Sequence, residues 1–529
     1  MKGCILLSDE DIRHFICDGF LQLKSELDGA LHRCIDERLR WAYEKEFKMG
    51  NNILARVPEL HDVIESPRVH GALTGILGPD YLLYPHRAVH TSTPVAHPKV
   101  EYAPDADMPE MGKGSLAGSG WHQDAQSPLA RARYHVPRYV IAFYFPHDTK
   151  IDMGPTRFQA GSYLYSNPGT PTAVVLPEFI PAGSVFLLHF DVVHAGFPNY
   201  SDLARYMVKF IFARTRHPVY PSWRNEEVAW REPQQRITPN HLPNTWSYLW
   251  HWMRGDPPVS REVSRPVSTG QEQPTRLEAI YTARDVMELA NTLQSRAGLG
   301  MHERILVKNP EGKTIPADLL SGKSRQRLQS QVRRWNERAI VMEDATYALA
   351  SLGEASIPAL TELVNHEDPW VAINACFALG ELGLKARSAV PAIAKLLDHP
   401  LQQVVRQALD ALGAIGIGIT VALPDIRRLI TMSNPDWQEP QVVRGWTGED
   451  GVRLNAVQAL LNATYCEDND LDAIEDIFIC ALDDSNGYVS AIACEGLERT
   501  GSRKATLAAL GYLKRRRWDD SLAAGKRVF

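Results

Sequence analysis

A repeat in the second half of the chain places the strongest constraint on its fold. Three segments recur every 33 residues: Ile357-Pro358-Ala359-Leu360, Val390-Pro391-Ala392-Ile393 and Leu423-Pro424-Asp425-Ile426. Helix-like stretches, 372–382 and 405–412, run between them. One helix pair of this length cannot bury its own apolar face, so neighbouring pairs must stack. The spacing therefore predicts an all-α solenoid of antiparallel helix pairs.

The repeat resembles HEAT repeats over about residues 340–432 and continues more weakly through 453–461 and 488–497. We assign residues 336–529 to this HEAT-like domain. The resemblance implies a long exposed surface, and such surfaces commonly bind proteins. Three roles stay open for the repeats: binding a protein partner, self-association, and covering the other domain.

Length and composition indicate a soluble protein with more than one domain. The chain has 529 residues, too many for one ordinary core. Its net charge of -6 and pI of about 6.3 leave no basic excess for a nucleic-acid backbone. No apolar stretch approaches the roughly 18 residues of a membrane helix, and the first residues do not resemble a secretory signal. We therefore expect a cytoplasmic protein with neither nucleic acid nor membrane as partner.

The first half follows a different pattern. Ser8-Asp9-Glu10-Asp11 precedes an apolar-periodic run that ends at Asp18-Gly19, which predicts a helix begun by a capping box. Later come short strand-like runs at 139–145, 184–188 and 205–212, separated by Gly, Pro, Asn and Asp. This alternation favours a β-sandwich or barrel with flanking helices.

The segment from Arg254 to Pro274 is rich in Pro, Ser and charged residues, as linkers are. We place the end of the first domain there. The expected organisation is a first domain at 1–255, a linker with connecting helices at 256–335, and the helical repeats at 336–529.

Three His-x-Asp triplets suggest a metal site. A mononuclear iron(II) oxygenase holds its metal with two imidazoles and one carboxylate on one face, which leaves adjacent positions open. The triplets are His122-Gln123-Asp124, His189-Phe190-Asp191 and His366-Glu367-Asp368. A triplet alone is weak support, because the chain contains 18 histidines. The residues around each triplet therefore decide which one is a candidate metal site.

Two of the triplets are poor candidates. Asp368 stands before Pro369 in a turn between repeat helices, where an aspartate normally caps the next helix. His189 and Asp191 come directly before His194, so they would need another distal ligand, such as His217.

The remaining triplet has a suitable distal partner. His194 follows after a strand-rich stretch, and a jelly-roll barrel brings ligands from non-adjacent strands together. Arg205 comes eleven residues after His194, and its planar guanidinium can pair two-pronged with the far carboxylate of 2-oxoglutarate. We predict that His122, Asp124 and His194 bind iron(II) and that Arg205 binds 2-oxoglutarate.

Over residues 6–255 the chain resembles the phytanoyl-CoA dioxygenase family of iron(II)/2-oxoglutarate oxygenases. The resemblance rests on ordered features, namely Leu7-Ser8-Asp9-Glu10, Asp18-Gly19-Phe20, the His122 triplet, Gly154 to Gly161-Ser162, and His194 followed by Arg205. It implies an α+β domain built on a double-stranded β-helix (jelly-roll, cupin-like) with flanking helices. It also implies iron(II), 2-oxoglutarate and O2 as the reactants bound there, with Gln123 beside the co-substrate.

The chain departs from the family pattern at two places. Tyr163 stands where a histidine is frequent after the glycine turn. Near residues 84–90 many relatives have a lysine or another polar residue facing the co-substrate, and here His90 or His86 is the candidate. A role as a hydrogen-bonded strand histidine stays open for both.

These patterns predict the reaction class but not the substrate. Asp124 fills the coordination position that related halogenases leave to chloride, which favours hydroxylation; epoxidation, desaturation and ring formation stay open. We expect a small metabolite or natural-product intermediate as substrate. The tryptophans between 220 and 253 are expected to be structural rather than pocket-lining. The alternative function is a HEAT-repeat scaffold with a catalytically silent oxygenase domain.

Overall fold

The computed structural model describes residues 3–46, 50–94, 123–124, 132–165, 173–256, 272–297, 306–308, 314–316, 342–438 and 446–515. His122 lies outside these residues. The chain divides into two compact units, the first within residues 1–124 and 134–279 and the second within 280–516. Among the helices in the described ranges, none is both long enough and apolar enough to span a bilayer.

The first unit begins as the capping box predicts. The Ser8 hydroxyl accepts from the Asp11 N–H, and the Asp11 carboxylate accepts from the Ser8 N–H. The helix ends where Gly19 adopts a φ of 80°, which an L side chain rarely adopts. The helices of this unit are α1 (Asp9–Asp18), α2 (Gly29–Lys45), α3 (Ile53–Arg56), α4 (Leu60–Ile64), α5 (Pro67–Leu77) and α6 (Pro243–Arg254), followed along the chain by α7 (Glu272–Thr282).

Antiparallel sheets follow the first helices. The strands are β1 (Phe20–Lys24), β2 (Leu82–Ser92), β3 (Tyr139–Phe145), β4 (Thr149–Lys150), β5 (Arg157–Gln159), β6 (Val174–Val175), β7 (Phe179–Ile180), β8 (Ser184–His189), β9 (His194–Ala195) and β10 (Arg205–Ala213). The larger sheet has the order β1-β8-β3-β10-β2, and the smaller ones have the orders β6-β5-β9 and β4-β7. The predicted runs at 139–145, 184–188 and 205–212 are confirmed as β3, β8 and β10.

Strand β10 presents two different faces, because side chains alternate along a strand. Tyr206 contacts Tyr43 of α2, with ring centroids 5.8 Å apart, so the even-numbered residues of β10 face the helices. The odd-numbered residues face the smaller sheet. Arg205 lies over the Phe145 ring on that side, and Phe143 contacts His194 of β9 at 5.7 Å.

The tryptophans of residues 220–253 pack into the core of the first unit. Trp246 and Trp250 of α6 are fully buried. Trp223 packs on Trp250, with centroids 5.4 Å apart, and donates its Nε1 hydrogen to Asp9. Arg13 of α1 stacks on Trp250 at 5.0 Å. This cluster ties α6 to the first helix, which fits the expected structural role.

The second unit is mainly helical and repeats a two-helix pattern. Proline occupies the first turn of three helices at the predicted interval, where its missing N–H costs nothing. Besides the short strands β11 (Leu306–Lys308) and β12 (Thr314–Pro316), the elements are α8 (Val286–Gln294), α9 (Asp344–Ser351), α10 (Ile357–Val364), α11 (Pro369–Leu382), α12 (Val390–Lys395), α13 (Gln402–Ile415), α14 (Leu423–Thr431), α15 (Gly448–Ala463), α16 (Leu471–Ala481), α17 (Gly487–Thr500) and α18 (Arg503–Arg515).

The longer helices of successive pairs pack side by side through small residues. Helices α11, α13, α15 and α17 contact one another in that order. A Cβ atom on Gly413 would lie 2.8 Å from the Ala459 Cα, and one on Gly380 would lie 3.3 Å from the Ala411 Cα. Glycine at these positions lets α13 approach both neighbours closely.

Candidate metal and co-substrate site

Arg205 is a buried cation with an incomplete set of partners. The residue is 4% exposed, and burial lowers its pKa to about 10. Its Nη2 donates to the Gly154 carbonyl at 2.7 Å, and its Nη1 donates to the His90 carbonyl over a long 3.4 Å. Its Nε has no hydrogen-bond partner, and no carboxylate in the described ranges forms an ion pair with it. The Nε hydrogen of the guanidinium is therefore available to an anion.

Two turns fix the position of Arg205. Asn199 donates to the carbonyls of Ser92 and Leu203, both at 2.8 Å, and its Oδ1 accepts from Ser201, which closes the loop before β10. Gly154 has a φ of 70°, and a Cβ there would lie 2.5 Å from the Phe197 carbonyl oxygen. Its glycine hydrogen thus lets the loop approach close enough for its carbonyl to accept from Arg205.

His194 is held in the tautomer that a metal ligand needs. Its Nδ1 lies 3.0 Å from the Val192 carbonyl, and a carbonyl can only accept, so Nδ1 carries the hydrogen. In the neutral ring Nε2 then has the lone pair. The Ser162 hydroxyl accepts from the Val193 N–H at 2.8 Å and donates to Gln159, which anchors the chain just before His194. The Gly161-Ser162 turn therefore supports the imidazole.

Asp124 lies next to this imidazole. Its Oδ1 is 4.0 Å from His194 Nε2, and its Oδ2 accepts a hydrogen bond from the Lys209 ammonium. The side chains of His194 and Lys209 are each 8% exposed and that of Asp124 is 19% exposed. An imidazole nitrogen and a carboxylate oxygen facing each other in a largely buried place suit a divalent first-row metal.

Of the predicted set, the structure places Asp124 beside His194, and it places Arg205 on the same strand face as Lys209, which contacts Asp124. His122 lies outside the described residues. Within the parts of the chain that the structure covers, no three His, Cys, Asp and Glu side chains form a group that could hold a metal ion. The complete ligand set of the sequence analysis therefore stays a prediction, with two of its members adjacent.

Gln123 is near the site, but its amide group has other partners. Its Nε2 donates to the carbonyls of Tyr165 at 2.7 Å and Asp191 at 2.8 Å. Both amide hydrogens are then used, and the remaining Oε1 is an acceptor that cannot pair with a carboxylate. This geometry favours a role in holding the 123–124 segment over a direct contact with 2-oxoglutarate.

His90 lies on β2 opposite Met207, on the same face of the sheet as Arg205. The side chain is solvent-exposed, yet desolvation by the surrounding protein, followed by the charge of Lys209, lowers its pKa to about 3. A contact between His90 and 2-oxoglutarate therefore stays a prediction.

The other triplets have structural roles. The His189 Nε2 donates to the Val136 carbonyl at 3.2 Å, and its Nδ1 accepts from the Asp191 N–H, so both ring nitrogens are used. Asp368 caps α11 by accepting from the N–H groups of Trp370 and Val371. The expectation that neither triplet is a metal site is consistent with these contacts.

Tyr163, the departure from the family pattern, also has a structural role. Its hydroxyl donates to the Ile16 carbonyl at 2.6 Å, and its ring stacks on His189 with centroids 4.3 Å apart. Tyrosine at this position links the end of α1 to the turn that supports His194.

From the sequence, Lys209 is only a fallback anchor for 2-oxoglutarate after Arg205, and its role as a partner of Asp124 was not predicted. It lies four residues after Arg205 on the same strand, so the period of two places both cations on one face. That spacing was visible in the sequence. Its contact with Asp124 was not, because the two residues are 85 positions apart and only the fold brings them together.

Comparisons with known proteins give one family and distant structures. The family model for HEAT repeats matches residues 357–439. The comparison with curated proteins gave no match. Among solved structures, the non-haem alpha-ketoglutarate-dependent carbocyclase SnoK from nogalamycin biosynthesis is 16% identical, with a TM-score of 0.30, over 40% of this chain and 85% of that chain.

Two further solved structures are similarly distant. HygX from Streptomyces hygroscopicus with nickel and 2-oxoglutarate bound is 14% identical over 44% of this chain and 95% of that chain, with a TM-score of 0.29. The nickel complex of the non-haem monooxygenase ThoJ is 18% identical over 43% and 90%, with a TM-score of 0.29. At TM-scores of about 0.3 these structures do not identify the function of this chain, whereas a family model identifies residues 357–439 as HEAT repeats.

Proposed function

We propose that the first unit is an iron(II)- and 2-oxoglutarate-dependent dioxygenase built on a double-stranded β-helix of the phytanoyl-CoA dioxygenase type. In this proposal His122, Asp124 and His194 hold the iron and Arg205 holds 2-oxoglutarate. The observation that carries it is the buried guanidinium of Arg205, whose Nε has no partner among the described residues and which lies on the same sheet face as Lys209, the residue that contacts Asp124.

The unpaired Nε–H of the buried Arg205 guanidinium favours binding of a carboxylate. A buried charge without a counter-ion costs several kcal/mol, and a ligand that brings an anion offsets that cost. A carboxylate can accept a charge-assisted hydrogen bond from the Nε–H, which has no partner among the described residues. 2-Oxoglutarate carries a carboxylate at each end. One carboxylate can therefore pair with Arg205 while the keto-acid end binds the metal.

The donor set of Asp124 and His194 fits iron(II). Two imidazoles and one carboxylate on one face leave coordination positions for a bidentate keto acid and O2. When bound, iron(II) would let O2 oxidise an unactivated C–H bond, with one oxygen atom going to the substrate and the other to 2-oxoglutarate, which is converted to succinate and CO2. The residues of the chain supply the orientation: Val192 fixes the His194 tautomer, and Gly154 fixes the guanidinium.

Hydroxylation of a small metabolite or natural-product intermediate in the cytoplasm is the reaction we favour. Asp124 keeps the carboxylate ligand in place, which leaves no position for a halide. Trp223, Trp246 and Trp250 are packed into the core around α6, so they serve the fold. In this scheme the domain covers residues 1–255, with a linker at 256–335 and the repeats at 336–529.

Anaerobic titration of the purified full-length chain with iron(II) and 2-oxoglutarate tests the proposal. We expect the weak visible charge-transfer band of the iron–keto-acid chelate, and succinate release with a metabolite panel in air. His194→Ala should abolish the band, because it removes a metal ligand. His241→Ala is the matched control, since its side chain is 46% exposed.

The main alternative is a scaffold protein whose oxygenase domain is silent. The HEAT repeats at 357–439 favour this reading, because such repeats commonly bind proteins. Wild-type protein that bound neither iron nor 2-oxoglutarate would contradict the dioxygenase and support the scaffold.

A further inference from the structure

Lys209 makes a buried contact that the proposed reaction does not by itself require. Its side chain is 8% exposed, and its ammonium donates to Asp124 Oδ2. Across the neighbouring strands it lies opposite Ala88 and Phe143, which offer it no side-chain acceptor. The side-chain acceptor for the Lys209 ammonium is therefore Asp124, and not a residue of the neighbouring strands.

The two oxygens of Asp124 have different neighbours. Oδ2 faces the Lys209 ammonium, whereas Oδ1 lies 4.0 Å from His194 Nε2. A carboxylate can bind a metal through one oxygen or through both. A charge-assisted hydrogen bond to Oδ2 withdraws that oxygen and leaves Oδ1 to face the imidazole.

We propose that Lys209 is a positioning residue that holds Asp124 so that it binds metal through Oδ1 alone. This inference rests on the proposed function, because it assigns Asp124 as a metal ligand. Single-oxygen binding matters because a second oxygen from Asp124 would occupy a position that 2-oxoglutarate or O2 needs. Groups that orient a metal ligand in this way typically change metal affinity or activity by about 10- to 100-fold when removed.

Cobalt(II) titration of the metal-free, full-length chain tests the inference without turnover. Lys209→Met removes the ammonium and nearly keeps the side-chain length. We expect the Co(II) affinity to fall by about 10-fold or more, because Asp124 is no longer held in place. The visible Co(II) spectrum should also change, because Asp124 can then rotate and bind through both oxygens. Lys209→Arg, which retains a cationic donor, should restore most of the affinity and the wild-type spectrum. Lys150→Met is the control, because Lys150 is exposed.

The sign of the effect separates this role from a simpler one. If Lys209 only competed with the metal for Asp124, Lys209→Met would bind Co(II) more tightly, and that result overturns the inference. Equal affinity with an unchanged spectrum overturns it as well. If Lys209→Met does not fold, as judged by circular dichroism, Lys209→Gln is measured in its place: weaker Co(II) binding supports the inference, and unchanged or tighter binding overturns it.

A double-substitution cycle locates the effect. In an Asp124→Asn background, adding Lys209→Met should change Co(II) affinity by less than about twofold, because the partner through which Lys209 acts has lost its charge. An undiminished effect there overturns the inference. Wild-type protein that binds no Co(II) contradicts the proposed function, whereas wild-type binding with an unaffected Lys209→Met contradicts the role of Lys209 alone.

Discussion

At the scale of single residues, Arg205 shows how a site can be recognised by what it lacks. Buried charges in proteins are normally paired, because desolvation otherwise makes them costly. Arg205 is 4% exposed, and its Nε has no partner in the part of the chain that the structure describes. Lys209, only four residues away, forms an ion pair with the Asp124 carboxylate. The contrast between the two cations supports the proposal that Arg205 binds the carboxylate of 2-oxoglutarate.

Replacing Arg205 by Met separates binding from stability. We expect the 2-oxoglutarate affinity of the metal-loaded protein to fall by about 2 to 5 kcal/mol, the usual cost of removing one partner of a buried charge pair. The free energy of unfolding without 2-oxoglutarate should stay the same or rise, because an unpaired buried charge is removed. Calorimetric titration and urea unfolding measure the two quantities.

Arg224→Met serves as the control, since the Arg224 side chain is 69% exposed. It should change neither quantity. An unchanged 2-oxoglutarate affinity in Arg205→Met would move the anchor to another residue. Arg214 is a poor substitute, because it stacks on Trp252 at 5.1 Å and donates to the Pro137 carbonyl.

Sequence spacing predicted part of this site. The order of Asp124, His194 and Arg205 was enough to nominate them, because the types and their intervals fit one chemistry. The Lys209–Asp124 contact and the backbone partners of Gln123 depend on how distant loops meet, which no local pattern encodes.

At the scale of elements, the predictable parts were those with strong local signals. Strand β3 is a continuous apolar run buried along its whole length, so its limits could be read directly. The β2–β10 pairing could not. Its register shifts between Phe210 and Phe212, beside Pro85 of β2. Proline cannot donate to the sheet, but the sequence alone does not say that β2 carries two extra residues at this point of the pairing.

The helix repeats offer a test of close packing. Gly413→Ala places a Cβ 2.8 Å from the Ala459 Cα, so α13 and α15 must separate. We expect the free energy of unfolding of the repeats to fall by about 1 to 3 kcal/mol, although alanine in an uncrowded helix is normally favourable. Urea unfolding followed by circular dichroism measures it.

Gly487→Ala is the matched control for this substitution. Gly487 begins α17, and no atom lies within 4 Å of the position its Cβ would take. This variant should be neutral or slightly stabilising. If Gly413→Ala behaved in the same way, α13 and α15 would have to be less tightly packed than the structure shows.

At the scale of the whole molecule, each unit has its own core, and a buried histidine makes the stability of the first unit depend on pH. In the first unit, burial lowers the pKa of His135 to about 3. An unfolded histidine takes up a proton near its ordinary value of about 6.5. The stability that neutral His135 supplies is therefore complete above that pH and is lost as the pH falls from about 6.5 towards 3.

This linkage gives a pH prediction for the first unit. The free energy of unfolding should fall by about 1.4 kcal/mol per pH unit for one such histidine below pH 6. In His135→Gln the free energy of unfolding should decrease with falling pH less steeply, by that amount. His241→Gln, which replaces an exposed histidine, should leave the slope unchanged. Urea unfolding at pH 7, 6 and 5, followed by tryptophan fluorescence, measures the slopes. Parallel slopes for wild type and His135→Gln would contradict the prediction.

The two-part organisation was accessible from sequence because the two halves differ in period. A 33-residue repeat and an alternation of short strands are unlike each other over tens of residues, which makes the change easy to detect. The chemistry of the first unit was accessible only as a set of candidates, because spacing identifies residue types and the fold decides which of them meet.

The register of β10 also bears on how this chain can change during evolution. Arg205 and Lys209 share one face, so deleting or inserting a single residue between them would turn one of the two cations away from the site. Between Leu83 and Arg87 of β2 the pairing is already irregular, and an extra residue there can be absorbed without moving either cation. Length variation among natural relatives should therefore be found at the β2 irregularity and be absent from residues 205–209.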